Sequence, residues 1–373
     1  MFRAMVLLLA AGFVLAVSAF ALVRWRGEQR GSSGFVTRAG QRLLLDGERF
    51  RFVGANMYNA AGDPAIYQCG PWMDVPDEEL DGWFRRARHD FGARVVRFWA
   101  FQSYTRGGED WRALDRVIRL ARRHELKLIP VLENQWTECS EGGVKTAAWY
   151  ADGYTRPYGA YPLSYVDYVT RIVTRYRDEP AIVAWMLINE AETKRPDGSG
   201  DPATLLTFTE TVSALVKRLD AQHLVTLGLI GTGQPGTSGT AYERLHAVPT
   251  VDFLDYHDYG ADDEPLPGGS GGRQNTLAYA FEVARRLQKP LVLGEAGMNT
   301  CAPLEGFQLE TQEGRARKFD AKLAAFFAAG GAGYLIWTWN PDESCELNFT
   351  TGDPLNTVLR RHAGEIARSG AGR

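Results

Sequence analysis

Two glutamates stand at the ends of apolar runs: Glu190 closes Ala-Ile-Val-Ala-Trp-Met-Leu-Ile-Asn-Glu and Glu295 closes Pro-Leu-Val-Leu-Gly-Glu. A carboxylate at the mouth of a buried strand is costly to desolvate, and function is the usual reason for its presence. Two such groups facing one bond are the apparatus of retaining glycoside cleavage. One attacks the anomeric carbon while the other protonates the leaving oxygen and later activates water, with the carboxyl groups ~5 Å apart. The bland alternative is that each caps a helix or pairs with an arginine. Metal chemistry has less support, since the 6 histidines are scattered with no H-E-x-x-H spacing. Asp342, Glu343 and Glu346 lack the spacing of a calcium loop and read as a solvated loop. No metal and no cofactor are expected.

The elements that must position these groups follow from periodicity. A hairpin at residues 35–37 and 43–45, with the turn Asp46-Gly47, leads into a first long strand over 50–54. Further strand-like runs occupy 94–99, 126–133, 181–189, 224–229, 251–257, 290–295 and 334–339. Between them lie segments with apolar residues in steps of three and four, such as Leu80, Trp83, Phe84 and Ala87, or Leu205, Phe208, Val212 and Leu215. A last helical stretch covers 355–367. Alternation of this kind predicts an α/β fold, and eight successive units predict a single (β/α)8 TIM barrel over residues 35–368. A doubly wound open sheet is the structural alternative, which eight units exceed. The stretch 265–272, rich in glycine, is expected as a loop inside the sixth unit.

Composition sets the outer bounds. The 42 basic and 45 acidic side chains leave a formal charge of −3, so neither nucleic acid nor an anionic membrane is an expected electrostatic partner. Apolar residues at 45% and charged residues at 23% exclude a disordered or fibrous chain. An uncharged apolar run at 4–23 follows Arg3 and precedes Arg24, Arg26 and Arg30. Residues 1–30 therefore read as a signal peptide or a membrane anchor with a short linker, and the catalytic part is expected to be secreted or tethered outside the cytoplasm. The 4 cysteines show no C-x-x-C spacing. An even number beyond an export segment favours disulfides in loops at one end of the fold, Cys69 with Cys139 and Cys301 with Cys345, against the alternative of unpaired thiols.

Aromatic residues gather at strand ends. Trp337 and Trp339 face the same way if strand alternation holds, and one of them, preferably Trp337, would floor the cleavage subsite by stacking on a pyranose. Trp136, Trp99 and Tyr58 are candidates for neighbouring subsites, with core packing as the alternative for each.

Asn189-Glu190, the late Glu295, Arg97 in Val-Val-Arg-Phe-Trp, and His257-x-Tyr259 together resemble glycoside hydrolase family 5, in the clan of retaining TIM-barrel glycosidases. The resemblance spans nearly all of 35–365. Leu44-Leu45-Asp46-Gly47 leading to Asn56-x-Tyr58, and Val131-Leu132-x-Asn134-x-Trp136, are similar to segments of its β-mannanases, although Gln135 stands where those enzymes often have a second asparagine. The resemblance implies that Glu190 is the acid/base, with a raised pKa, and Glu295 the ionised nucleophile. It implies that Arg97 and Tyr259 hold Glu295, that Asn189 binds a sugar 2-hydroxyl, and that His257 sits beside the acid/base or binds a sugar hydroxyl. Arg97 and His257 could also be hydrogen-bonded structural groups of the mouth.

The expected function is thus endo-hydrolysis of β-1,4-mannan or a related β-glycan, with a β-linked poly- or oligosaccharide as partner and a monomer as assembly. An endo-β-1,4-glucanase or an exo-acting or glycolipid-directed β-glycosidase shares the same chemistry. A non-hydrolytic carbohydrate-binding barrel is the alternative of a different class.

Overall fold

The computed structural model describes residues 34–67, 69, 75–260, 273–340 and 344–370. The leader at 1–30, the loop at 265–272 and the residues Asp342 and Glu343 lie outside them. The described chain opens with an antiparallel sheet of β1 (Val36–Ala39), β2 (Arg42–Leu45) and β3 (Glu48–Arg49). Its buried Val36 and Leu43, together with Phe50, pack into the core, and Arg38 meets Asp252 at 3.3 Å just ahead of the sixth barrel strand. This sheet therefore covers the N-terminal end of the barrel, opposite the site.

Eight parallel strands follow: β4 (Phe52–Asn56), β5 (Val95–Trp99), β6 (Lys127–Val131), β7 (Ala184–Met186), β8 (Leu224–Thr226), β9 (Leu254–Asp258), β10 (Leu291–Ala296) and β13 (Gly333–Ile336). The short pair β11 (Asn299–Thr300) and β12 (Leu309–Glu310) lies between the last two. Neighbours pair in the order β8-β7-β6-β5-β4-β13-β10-β9. The remaining seam, β8 to β9, is closed by single hydrogen bonds: Asp252 N–H to Val225 O at 2.7 Å and His257 N–H to Ile230 O at 2.9 Å. The fold is a (β/α)8 TIM barrel.

Continuous apolar strands arise because both faces are covered. In β5 and β10 every residue is buried, the charged Arg97 and Glu295 included. The enclosing helices are α1 (Asp77–Asp90), α2 (Arg112–Arg123), α3 (Ala147–Ala151), α4 (Tyr165–Tyr176), α5 (Pro202–Leu219), α6 (Thr240–Ala247), α7 (Leu277–Leu287), α8 (Gln312–Ala328) and α9 (Pro354–Gly370). Ser164, Asp201, Thr276 and Thr311 cap α4, α5, α7 and α8 by accepting from a backbone N–H, and Pro202 opens α5 where its missing donor is harmless. The run Gly231-Thr-Gly-Gln-Pro-Gly236 after β8 has the spacing of a dinucleotide loop, but α6 begins only at Thr240. All three of its glycines have positive φ, so the run serves as a turn between packed loops.

The fourth strand is shorter than its apolar run suggests. Only Ala184–Met186 keep ladder pairing, while isolated bridges at Ile182 and Asn189 extend the contact with the third strand. The eighth strand ends at Ile336, three residues before the expected limit.

Cys69 pairs with Cys139 and Cys301 with Cys345. Each bridge ties two βα loops at the C-terminal end of the barrel. The first closes a stretch of 70 residues, for which chain entropy gives about 4 kcal/mol. Replacing Cys69 and Cys139 together by serine is expected to lower stability by roughly that amount in chemical denaturation. An unchanged midpoint would show that the bridge constrains nothing.

Candidate active site

The strand ends converge on Glu190 and Glu295. One oxygen of each carboxylate and one ring nitrogen of His257 all lie within 4.8 Å of one another. This separation suits attack on, and protonation around, one anomeric centre without an intervening water.

Arg97, fully buried on β5, organises the floor. Its guanidinium donates to Glu295 Oε1 at 2.7 Å, to Asn56 Oδ1 at 2.7 Å and to Asn189 Oδ1 at 2.5 Å. Asn56, at the end of β4, passes its amide protons to Gly294 O at 2.9 Å and Ile336 O at 3.3 Å, so its oxygen is left to face the arginine. Asn189 donates to Asn134 Oδ1 at 3.0 Å, and Asn134 donates onward to Glu138 O. A charged fork in a dry interior is tolerable here because each partner is already oriented.

Tyr259 donates its hydroxyl to the other oxygen of Glu295. Glu190 is held by His257 Nδ1 at 2.8 Å on Oε1 and by the Trp136 indole N–H at 2.7 Å on Oε2. Glu190 has φ 58°, a left-handed conformation that costs a side-chain-bearing residue ~1–2 kcal/mol. All four carboxylate oxygens thus carry a donor, two of them from Arg97 and His257. The arrangement suits a carboxylate pair and not a cation, although three ligand-type groups lie close together.

The protonation order differs from the expected one. Burial raises Glu190, but the hydrogen bond and charge of His257 and the Trp136 donor outweigh it and hold the carboxyl below its ordinary range. For Glu295, by contrast, burial prevails and leaves it raised despite His257 and Arg97. The cause is depth and distance: Glu295 is 3% exposed against 14% for Glu190, and His257 Nδ1 is 3.5 Å from Glu295 but 2.8 Å from Glu190. His257, the neighbour of Glu190, is pushed up to about 10; burial lowers it, but Glu295, Asp255 and Glu190 outweigh that effect.

The aromatic residues divide. Trp337 and Tyr58, both half-buried, stack at 5.4 Å with 14° between their planes, and Trp99 leans on both while lying under Arg97 at 4.9 Å. The Trp337 backbone N–H donates to Ala296 O, next to Glu295. Trp339 is corrected: it is 1% exposed and packs on Phe91 and Phe349 in the core, away from the mouth. Strand alternation stops at Ile336, so it no longer orients residue 339. Trp136 holds Glu190 through its indole N–H.

Two groups escaped sequence reading. Glu133, buried at the end of the third strand run, accepts from Asn134 N–H, Ser140 and Tyr158 and pairs with buried Lys145 at 3.1 Å. This knot ties down the loop carrying Trp136. Asp255 is buried on β9, two residues before His257. Glu133 was detectable by the test that singled out Glu190, an acidic residue ending an apolar run, whereas Asp255 lies inside the polar-interrupted run 251–257 and carried no such signal.

Fold and site define a TIM barrel with paired strand-end carboxylates. A family model described as GH family 5 beta-mannosidase-like matches residues 166–325. The chain is 30% identical over 300 residues to the probable mannan endo-1,4-beta-mannosidase A of Aspergillus oryzae, covering 68% of this chain and 72% of that protein. It is 29% identical to the probable mannan endo-1,4-beta-mannosidase C of Aspergillus terreus over 62% of this chain. The chain spans slightly under two thirds of several relatives, 66% of that one and 62% of the corresponding probable enzyme F of Neosartorya fischeri. Among solved structures, the endo-beta-1,4-mannanase of Thermotoga petrophila superposes with a TM-score of 0.67 at 22% identity, covering 87% of this chain and 78% of that one. The endo-1,4-beta-mannanase of Rhizomucor miehei gives 0.67 at 18% identity, covering 90% and 99%. These two likenesses bear on the fold. The chain belongs to glycoside hydrolase family 5.

Proposed function

We propose that this chain is a retaining endo-β-1,4-mannanase that needs no cofactor. The observation that carries the reading is the carboxylate pair, within 4.8 Å across the mouth, in a family 5 chain whose curated relatives are named mannan endo-1,4-beta-mannosidases. Glu295, held by Arg97 and Tyr259, attacks the anomeric carbon to form a glycosyl ester. Glu190 protonates the departing oxygen, then deprotonates the water that hydrolyses the ester. Asn189, fixed by Arg97 and Asn134, meets the sugar 2-hydroxyl. Trp337 and Tyr58 offer an aromatic face to the ring. The two bridges and the apolar leader run support a secreted or membrane-tethered enzyme acting outside the cytoplasm on an extended β-linked polysaccharide or oligosaccharide.

The test is a substrate screen of the purified chain on mannan, glucomannan, carboxymethyl cellulose and aryl glycosides, with product length and anomeric configuration recorded. Mixed manno-oligosaccharides with the β-anomer formed first are the expected products. Release of mannose alone would favour the exo-acting mannosidase that the family description names, and cello-oligosaccharides alone a glucanase. Within the same assay, Glu190→Ala is expected to slow mannan cleavage by ~10²–10⁴-fold and activated aryl glycosides far less, because a good leaving group needs no proton. Equal losses on both substrates would remove Glu190 from the acid role.

A further inference from the structure

Behind His257 lies a third carboxylate that the double-displacement chemistry does not call for. Asp255 and His257 are two residues apart on β9 and project to the same side of the strand. Asp255 Oδ2 lies 3.5 Å from His257 Nε2, and neither atom has a hydrogen-bond partner among the described residues, although both side chains are fully buried. Two orphaned polar atoms of complementary kind, facing each other in a dry interior, are costly unless charge accompanies them. Space for the aspartate is cut into the neighbouring strand: a Cβ on Gly294 would lie 2.4 Å from Asp255 Oδ1. Its remaining contacts fix it in place, with Tyr256 N–H donating to Oδ1 at 3.1 Å and Tyr242 donating to its backbone carbonyl at 2.6 Å.

We propose that Asp255 is a positioning residue that keeps His257 an imidazolium, so that the proton delivered to the glycosidic oxygen is held on His257 Nδ1 and reaches it through Glu190. The proposal rests on the glycosidase reading above. In the first step Glu295 bonds to the anomeric carbon and the bond from that carbon to the leaving oxygen breaks. The leaving oxygen takes a proton from Glu190, and Glu190 takes one from Nδ1, leaving neutral imidazole. In the second step water bonds to the same carbon and yields its proton through Glu190 back to Nδ1 as Glu295 departs.

The groups facing His257 are Glu190 from the end of the fourth strand, Glu295 from β10, Arg97 from β5 beyond both, and Asp255 on its own strand. His246 stands against the Asp255 backbone N–H at 3.4 Å, and burial lowers it to about 3, so it adds no charge near neutral pH. Three carboxylates against one guanidinium leave a net negative surround, which favours the charged ring.

The test is made on the full chain with 15N-labelled histidine, the His257 signals being identified by their loss in His257→Gln. Both ring nitrogens of the unmodified protein are expected to stay protonated at pH 8. In Asp255→Asn the ring should titrate at least about one pH unit lower, and the alkaline limb of kcat/KM on manno-oligosaccharides should fall with it while KM changes less than about twofold. If Asp255→Asn does not fold, Asp255→Thr is measured in the same way. Neutral imidazole at pH 7 in the unmodified chain, an unchanged titration in the variant, or a titration that moves without the kinetic limb would each overturn the proposal. The ring titration needs no substrate, so a chain inactive on every β-glycan counts against the glycosidase reading and leaves the ring's charge state separately decided.

Discussion

Replacing Glu295 by alanine is expected to lower turnover of mannan by at least about four orders of magnitude without loss of the folded state. In the proposed reaction this side chain forms the bond to the anomeric carbon. Its surroundings hold it there: Arg97 at 2.7 Å on one oxygen and Tyr259 on the other. Truncation to a methyl also opens a space beside Arg97 that a small anion can enter. Azide should therefore restore activity, giving the α-glycosyl azide through a single inversion, whereas azide added to Glu190→Ala should give the β-product after double displacement. Chromatography and anomeric NMR of the azide products check both. A β-azide from Glu295→Ala would exchange the two roles, and full activity in that variant would end the carboxylate-pair account.

Arg97→Met is expected to cost about 3–5 kcal/mol of stability and roughly 10³-fold in kcat/KM. Its three acceptors, Glu295 Oε1, Asn56 Oδ1 and Asn189 Oδ1, are all buried and would lose this donor together. The pH dependence carries a definite sign. Glu295 is raised by burial, and removal of the guanidinium raises it further. A group with a raised folded-state pKa stabilises the fold while protonated and loses that contribution as pH rises through that pKa. The stability deficit of Arg97→Met should therefore be greatest at neutral pH and shrink toward acid, and the acid limb of activity should move to higher pH. Arg97→Lys is not expected to rescue either, since one ammonium cannot serve three acceptors held in the plane of a fork. Thermal melts and pH–rate profiles of both variants decide. A deficit independent of pH would place the effect in packing alone.

Much of this protein was legible one residue at a time. Alternating strands and helical stripes identified the barrel, because apolar runs of strand length with amphipathic segments between them have few other ways to bury themselves. Carboxylates ending such runs marked Glu190 and Glu295 for the same reason, and the position of each cysteine after a strand placed all four in loops at one end. The fate of Trp339 was not legible. It depended on where the eighth strand stops, and strand ends are set by closure of the barrel and not by local pattern.

What the sequence by itself determined is the scaffold and the strand-end placement of Glu190 and Glu295, since both follow from residue type and spacing along a strand. What only the tertiary structure decided is the protonation order and the supporting cast. Glu190 is held low and His257 high because of distances of 2.8 and 3.5 Å between groups from three different strands. Glu133 and Asp255 acquire their meaning from the same kind of contact. Charge interactions fall off with separation in space and are amplified by burial, and neither quantity is a property of position along the chain.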